Sequence, residues 1–164
     1  MDVQARAATV DDLPMLVELY RAYRSALVDE RGGTTHLLKE ALGEPLEGPF
    51  SSIVGDDQWL ILIGTFDEAA AGLAAARIEM LPDGSHLVTV EVIYVDPQAR
   101  EVGVGEQLLN TVIRWAAERG AAGVDVRVLP GMRASKNFLE GSGFAARLLV
   151  MHHKLQGSVE TGSR

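Results

Sequence analysis

Leu13, Leu16, Val17, Tyr20 and Leu27 recur with helical period behind Thr9 and Asp12, which have capping-box spacing, and predict a first helix from about Val10 to Val28. Arg31 to Thr35 breaks that pattern and offers a cap for a short second helix carrying Leu37, Leu38, Ala41 and Leu42, which ends near Gly43. The segment from Gly43 to Asp57, with Pro45, Gly48, Pro49 and Gly55, reads as the longest irregular stretch. Strand patterns follow at Trp59 to Phe66, Ala71 to Glu79 and His86 to Val95. They are joined by Asp67-Glu68 and Pro82-Asp83-Gly84, both turn sequences, so an antiparallel meander is expected. Leu108, Leu109, Val112, Ile113 and Ala116 then line one face of a helix that stops at Gly120, with Arg114 and Arg119 near its negative end. Val124 to Val128 is a short strand. Coming after a strand and a crossover helix, it most simply runs parallel to the strand of His86 to Val95. A short helix over 134–140 ends at Gly141-Ser142-Gly143, and Ala145 to Leu155 reads as a final long strand before a small, polar tail over 156–164.

The most informative stretch is Tyr94-Val95-Asp96-Pro97-Gln98-Ala99-Arg100-Glu101-Val102-Gly103-Val104-Gly105. It ends a β-branched strand, turns through two glycines and opens into an amphipathic helix. The first N–H groups of a helix have no internal partner and sit at the positive end of its dipole, so such a turn is a site for a phosphate group. The spacing excludes two common versions. No Lys-Ser or Lys-Thr follows the glycines, and Leu108 stands where a dinucleotide-binding GxGxxG would have its third glycine. What remains is Arg100-x-x-Gly103-x-Gly105.

Here the chain resembles the GNAT superfamily of N-acetyltransferases, whose acetyl-CoA pyrophosphate loop reads (Gln/Arg)-x-x-Gly-x-(Gly/Ala) after a Val-x-Pro approach. Arg100, Gly103 and Gly105 fit the loop, Val95-Asp96-Pro97 fits the approach, and Gly143-Phe144 fits the end of the family's last helix. The likeness is specific over about residues 86 to 155. It implies an α/β (α+β) fold: a mixed, mostly antiparallel central sheet with helices on both faces, and a splayed parallel strand pair that binds acetyl-CoA. It further implies main-chain contacts from Ile93, Tyr94 and Val95 to the pantetheine arm and thioester, and amides of about Glu101, Val102, Gly103, Val104, Gly105 and Glu106 on the pyrophosphate, beside Arg100. Ser135 and Phe138 of the later helix complete the implied cofactor contacts. Three positions depart from the family pattern. Glu101 and Val102 replace a usual glycine and basic residue, which brings a carboxylate to an anion site. Leu139 falls where many members carry the tyrosine that protonates the departing thiolate, and Met132 where many carry a CoA-contacting asparagine. Ser135, Asn137 and Ser142 are the nearby candidates to stand in for that acid.

Composition narrows the chemistry. A chain of 164 residues, 47% of them hydrophobic, is expected to fold as one domain over 1–155. With no cysteine, it has no disulfide framework, thiolate metal site or cysteine nucleophile. The first residues lack the basic-then-apolar run of a signal peptide, and no apolar run approaches the ~20 residues that span a bilayer. A cytoplasmic protein without membrane contact is therefore expected. The net charge of −8 disfavours nucleic acid and suits a cationic substrate such as an amine, though acidity for solubility alone is common.

Acetyl transfer to an amine needs a group that takes the ammonium proton. Glu91, between Val90 and Val92 and four residues before Val95, occupies a position where several family members carry a catalytic glutamate. It is read as the base, working through a water, or else as a solvated strand residue. Glu79, Asp125 and Arg127 read as surface strand positions. His152 and His153 alternate faces of the last strand, and no His/Asp/Glu grouping has metal spacing, so no metal is expected. Two functions stay open: an acetyl-CoA-dependent N-acetyltransferase acting on a primary amine, or a catalytically weak acyl-CoA-binding module of the same fold. The apolar run Leu148 to Met151 leads to the expectation of a homodimer.

Overall fold

The computed structural model describes residues 1–156. Five strands, β1 (Val3–Ala7), β2 (Trp59–Phe66), β3 (Ala69–Met80), β4 (His86–Val95) and β5 (Gly123–Val126), form one sheet in the order β1-β2-β3-β4-β5. The first three pairings are antiparallel and β4–β5 is parallel. Helices α1 (Leu13–Leu27), α2 (Gly33–Lys39), α3 (Glu47–Ile53), α4 (Val104–Glu118) and α5 (Arg133–Gly141) connect or follow the strands. The described chain divides into two compact units. One holds Met1–Arg24 with Leu42–Arg127, and therefore the whole sheet; the other is built from Ser25–Ala41 and the chain from Val128 onward.

Both faces of the sheet are covered. Leu62, Ala74, Ala76, Ile78, Val88 and Val90 form the core beneath Val104, Leu108, Val112 and Ala116 of α4. The alternate residues Ile61, Ile63, Leu73 and Ala75 are equally buried, as are Leu16 and Tyr20 of α1 and Phe50 of α3. The edge of Tyr20 meets Phe50 at 5.4 Å, and Tyr23 meets Tyr94 of β4 at 6.4 Å, which places α1 on this second face. Burying each such side chain contributes about 1.5–3 kcal/mol. Two glycines make α4's seat. Gly64 and Gly72 pair across β2 and β3, and a Cβ at Gly64 would stand 2.7 Å from Val104 Cγ1, while one at Gly72 would stand 2.8 Å from the Tyr94 carbonyl oxygen. The missing side chains let the first turn of α4 lie directly on the sheet.

One strand is unforeseen in the sequence, and three local expectations need correction. Val3–Ala7, whose VQARA sequence has little strand character, is a strand because the edge of β2 supplies its partner. The predicted first helix opens with a 3-10 turn, Val10–Asp12, before α1 proper. The segment 43–57 contains α3, whose Pro49 falls in the first turn, where a missing N–H costs no helical bond, and whose Phe50 is anchored in the core. Finally, Ala145 to Leu155 forms no strand. The sheet ends at β5, residues 145–155 are exposed, and their strand-forming sequence finds no ladder among the described residues. Of the polar tail expected over 156–164, residues 157–164 lie outside the described residues.

Candidate active site

The site begins with an irregularity in β4. Val90 pairs with Ala76 and Val92 with Ala75, so Glu91 is the extra residue of a β-bulge. The bulge shifts the alternation by one: Val88 and Val90 face α4 before it, and Ile93 and Val95 pack against the same core after it. At this level β4 also parts from β5. Their ladder runs from Leu87–Gly123 to Val90–Val126 and stops, whereas β4 stays paired to β3 as far as Val95–Gly72. Along residues 91–95 the edge of β4 that looks away from β3 therefore carries main-chain groups with no strand beside them among the described residues. Buried backbone groups seldom lack partners, so this opening is suited to a ligand that hydrogen-bonds like a strand.

The chain leaves β4 through a 3-10 turn, Pro97–Ala99, fixed by the Asp96 carboxylate accepting from the Gln98 N–H at 2.9 Å. Glu101 follows with φ of 70° and Gly103 with φ of 99°, both in the left-handed region that bends the chain into α4. The first intrahelical bond, from the Gln107 N–H to the Gly103 carbonyl, leaves the amides of Val104, Gly105 and Glu106 directed forward from the helix end. Val104 is buried and Val102 half-buried against the core, so these two offer main chain only. Arg100 turns back, its Nε donating to the Val95 carbonyl at 3.2 Å, and so ties the glycine turn to the open end of β4. Ile93, Tyr94, Val95 and residues 100–106 are thus gathered around one corner of the sheet. Ser135 and Phe138 lie on α5, in the other unit.

Glu91 is not a solvated strand residue. Its side chain is only 17% exposed; Arg127 Nη1 donates to one carboxylate oxygen at 2.7 Å and Arg77 Nη2 to the other at 3.3 Å. Arg77 is shared with Glu79 at 3.4 Å. Arg127 and Glu79 lie at the surface as expected, their side chains 47% and 42% exposed, and are in addition parts of a charged cluster whose third member, Arg77, was overlooked. One signal was available: Arg77 is the only cation of β3, two residues before Glu79 at the end of a run of alanines and leucine, where an ionised side chain needs a partner. Tyr20 and Tyr23 of α1 stand on the same side, and the Glu91 charge acts on both. Burial above all pushes their phenols above the usual range, against the Leu42 amide and Arg24 at Tyr20 and with Tyr20 adding to the effect at Tyr23, and the Glu91 charge adds a smaller push to each, so both remain protonated at neutral pH. Tyr20 Oη accepts the Leu42 N–H at 2.7 Å. Burial, then Asp96, raises Tyr94 likewise.

The positions that depart from the family pattern also have clear places. Leu139 is a buried apolar residue of α5, and Met132 precedes the first turn of that helix. Ser142 Oγ donates to the Phe138 carbonyl at 2.9 Å, so its proton is already engaged. No group of three or more His, Cys, Asp or Glu that could hold a metal ion occurs among the described residues, nor does a helix long and apolar enough to cross a membrane.

A fold with a split parallel pair and a helix N-terminus facing the split defines a class, and sequence comparison agrees with it. The profile of the acetyltransferase (GNAT) family matches residues 16–144, and the chain belongs to that family. Solved structures with the same fold include an aminoglycoside acetyltransferase from an uncultured soil metagenomic sample, in complex with sisomicin. It is 13% identical at a TM-score of 0.71, over 95% of this chain and 97% of that one. The ribosomal-protein-alanine N-acetyltransferase of Brucella melitensis biovar Abortus 2308 is 17% identical at a TM-score of 0.70, over 94% and 99%. AAC(6')-Iy, in complex with the bisubstrate analogue CoA-S-monomethyl-acetylneamine, is 22% identical at a TM-score of 0.68, over 95% and 99%. No curated protein matches the sequence.

Proposed function

We propose that residues 1–155 act as one functional domain, an N-acetyltransferase that moves the acetyl group of acetyl-CoA to a primary amine of a small molecule or peptide by direct attack in a ternary complex. The observation that carries this reading is the opening of β4 from β5 beyond Val90, beside the free amides of α4. Acetyl-CoA supplies the thioester as co-substrate. Its pyrophosphate suits the amides of residues 102–106, where an anion is stabilised by the helix end, and its peptide-like pantetheine arm suits the open edge of Ile93, Tyr94 and Val95. Ser135 and Phe138 enter as cofactor contacts on the family resemblance alone.

In the reaction the ammonium gives up one proton to become the attacking amine, its nitrogen bonds to the thioester carbon, the carbon–sulfur bond breaks, and a second proton leaves the nitrogen while the departing thiolate takes one up. Glu91 receives the first proton through a water. Each of its oxygens accepts one guanidinium bond and keeps a second lone pair for that water. A main-chain N–H near Val95 donates to the carbonyl oxygen as it becomes negative. Leu139 supplies no acid, but a thiol of pKa about 8.5 departs partly as thiolate near neutrality. A cytoplasmic setting, supported by the cysteine-free composition, and a homodimer belong to the same reading.

Thermal shift tests it first. Acetyl-CoA and CoA should raise the melting temperature and NAD should not, and Gly105→Glu, which puts a carboxylate at the pyrophosphate's place, should abolish the shift while the protein stays folded. An unchanged shift in that variant would refute the cofactor assignment. A second reading, an acyl-CoA-binding module, is favoured by the double arginine clamp on Glu91 and the apolar Leu139. Tight CoA binding with no turnover across a broad amine panel would establish it instead.

A further inference from the structure

The carboxylate at the mouth of the split between β4 and β5 is presented as one half of an ion pair. Arg127 Nη1 donates to one Glu91 oxygen at 2.7 Å, and Arg77 Nη2 donates to the other at 3.3 Å. The two arginines differ in what they have left. Arg77 also pairs through Nη1 with Glu79 at 3.4 Å and is the more enclosed, at 32% exposure. Arg127 is 47% exposed, and its hydrogen bond to Glu91 is the only one it makes among the described residues. Most of its fork of five N–H donors is therefore unspent. Arg77 holds Glu91 in place, and Arg127 is the cation that a molecule at the mouth can reach.

The charges around this pair alternate in sign. Ala76 and Ile78 of β3, Val88 and Val90 of β4, and Val124 and Val126 of β5 all pack toward α4. The residues between them, Arg77, Thr89 and Asp125, are matched in register and turn to the opposite face. Contacts there run Glu79, Arg77, Glu91, Arg127, and Asp125, itself engaged, stands beside them. A chain of net charge −8 could have offered a uniformly acidic mouth, which would suit a polycation. Here a polyamine or an amino sugar with several ammonium groups would bring like charge against two guanidiniums, which is repulsive. An exposed carboxylate–guanidinium pair is complemented by a molecule with the reverse pair, an ammonium for Glu91 and an anion for Arg127. An α-amino acid carries both on one carbon, and its planar carboxylate matches the fork of an arginine.

We propose that the acceptor is a free α-amino acid, bound as the zwitterion with its ammonium toward Glu91 and its carboxylate on Arg127, which makes Arg127 the residue that selects the acceptor. The proposal rests on the N-acetyltransferase reading and narrows its amine. Because the chain has no cysteine, CoA released in turnover can be followed with a thiol reagent free of protein background. The acceptors to compare are the free α-amino acids, the matching α-amino amides, which keep the amine and lose the carboxylate, and a polyamine. For the best side chain, wild-type kcat/KM should be about 10-fold or more higher for the acid than for its amide, and higher than for the polyamine. In Arg127→Met the ratio of acid to amide should collapse toward one, the loss falling on KM for the acid. Comparing that ratio between the two proteins cancels the intrinsic reactivity of the two amines. Arg127→Lys, which keeps the charge without the fork, should restore part of the preference. Amides or the polyamine used by the wild type as well as the acids would overturn this acceptor and leave the transferase standing. An acid preference that Arg127→Met retains in full would overturn it likewise. CoA binding without turnover of any amine would remove the transferase reading and this acceptor with it. If Arg127→Met does not fold, the wild-type ratio and Arg127→Lys decide.

Discussion

Arg127 donates to Glu91 across the mouth of the split between β4 and β5, at 2.7 Å, one residue beyond the last paired position of β5. The bulge makes this contact possible: it leaves Glu91 as the unpaired residue of β4 at the level where the strands part. The same pairing restrains the carboxylate. A base held by two guanidiniums is positioned well, and it must act through whichever lone pairs they leave.

Glu91→Gln keeps the shape of the side chain and removes its basicity. Turnover should fall about 100-fold or more at neutral pH, with little change in acetyl-CoA affinity, and the loss should shrink at high pH, where more of the amine arrives deprotonated. Initial rates against pH for both proteins, with acetyl-CoA titrations, measure this. Arg127→Met is the companion, because it frees one carboxylate oxygen and leaves the carboxylate in place. Retained turnover in Arg127→Met beside lost turnover in Glu91→Gln marks Glu91 as the base. Equal rates for wild type and Glu91→Gln at neutral pH would take it out of the mechanism.

Glu101 opposes the site in two ways. Its φ of 70° is a conformation that costs a residue with a Cβ about 1–2 kcal/mol, and its carboxylate follows a turn suited to a pyrophosphate. Glu101→Gly removes the strain and the charge together, at some cost in unfolded-chain entropy. Acetyl-CoA should bind about 10-fold more tightly to this variant, with the gain reduced at high salt because part of it is electrostatic. Calorimetric titration at two ionic strengths reads both effects, and equal or weaker binding would show that the Glu101 carboxylate points away from the ligand.

Much of this site could be read from the sequence, because its main determinants are local. A strand, a glycine pair and an amphipathic helix in succession fix a helix end against a strand end, whatever the rest of the fold does. Residues 59–66 and 86–95 fall at the expected strand bounds for the same reason: their β-branched runs are bracketed by strong turns. What escaped depends on pairing partners. Val3–Ala7 takes its strand form from β2, and the segment 145–155, far richer in strand-forming residues, lacks that form because it joins no ladder among the described residues. The Arg77–Glu91–Arg127 cluster escaped because it joins three strand regions whose register is invisible in one dimension, and a bulge then moves the central residue by one position.

The N-terminal ion pair gives the clearest dependence on pH. Asp12 accepts from both terminal nitrogens of Arg6, each at 2.8 Å, and from the Thr9 N–H at 2.8 Å, and so clasps β1 to the start of α1. The Arg6 guanidinium first, and the Thr9 amide after it, hold the carboxyl well below the ordinary carboxylate range in the folded protein. A group whose folded-state value is depressed stabilises the fold fully above its unfolded value, near 3.9, and loses that contribution as pH falls toward the folded value. Asp12→Asn keeps an acceptor for the Thr9 amide and removes the charge, so it isolates the ionic part. Arg6 is half exposed, and solvent screening limits that part to about 1 kcal/mol. The stability difference between wild type and Asp12→Asn, from urea unfolding at a series of pH values, should therefore be constant from neutrality to about pH 4 and shrink steadily below it. A protonated Asp12 and the asparagine that replaces it are near-isosteric and both neutral, so the two proteins should converge in acid. A difference that persists unchanged at the lowest pH would mean that the asparagine side chain disturbs the turn itself, and no difference at neutral pH would mean that the Arg6 pair contributes nothing to the fold.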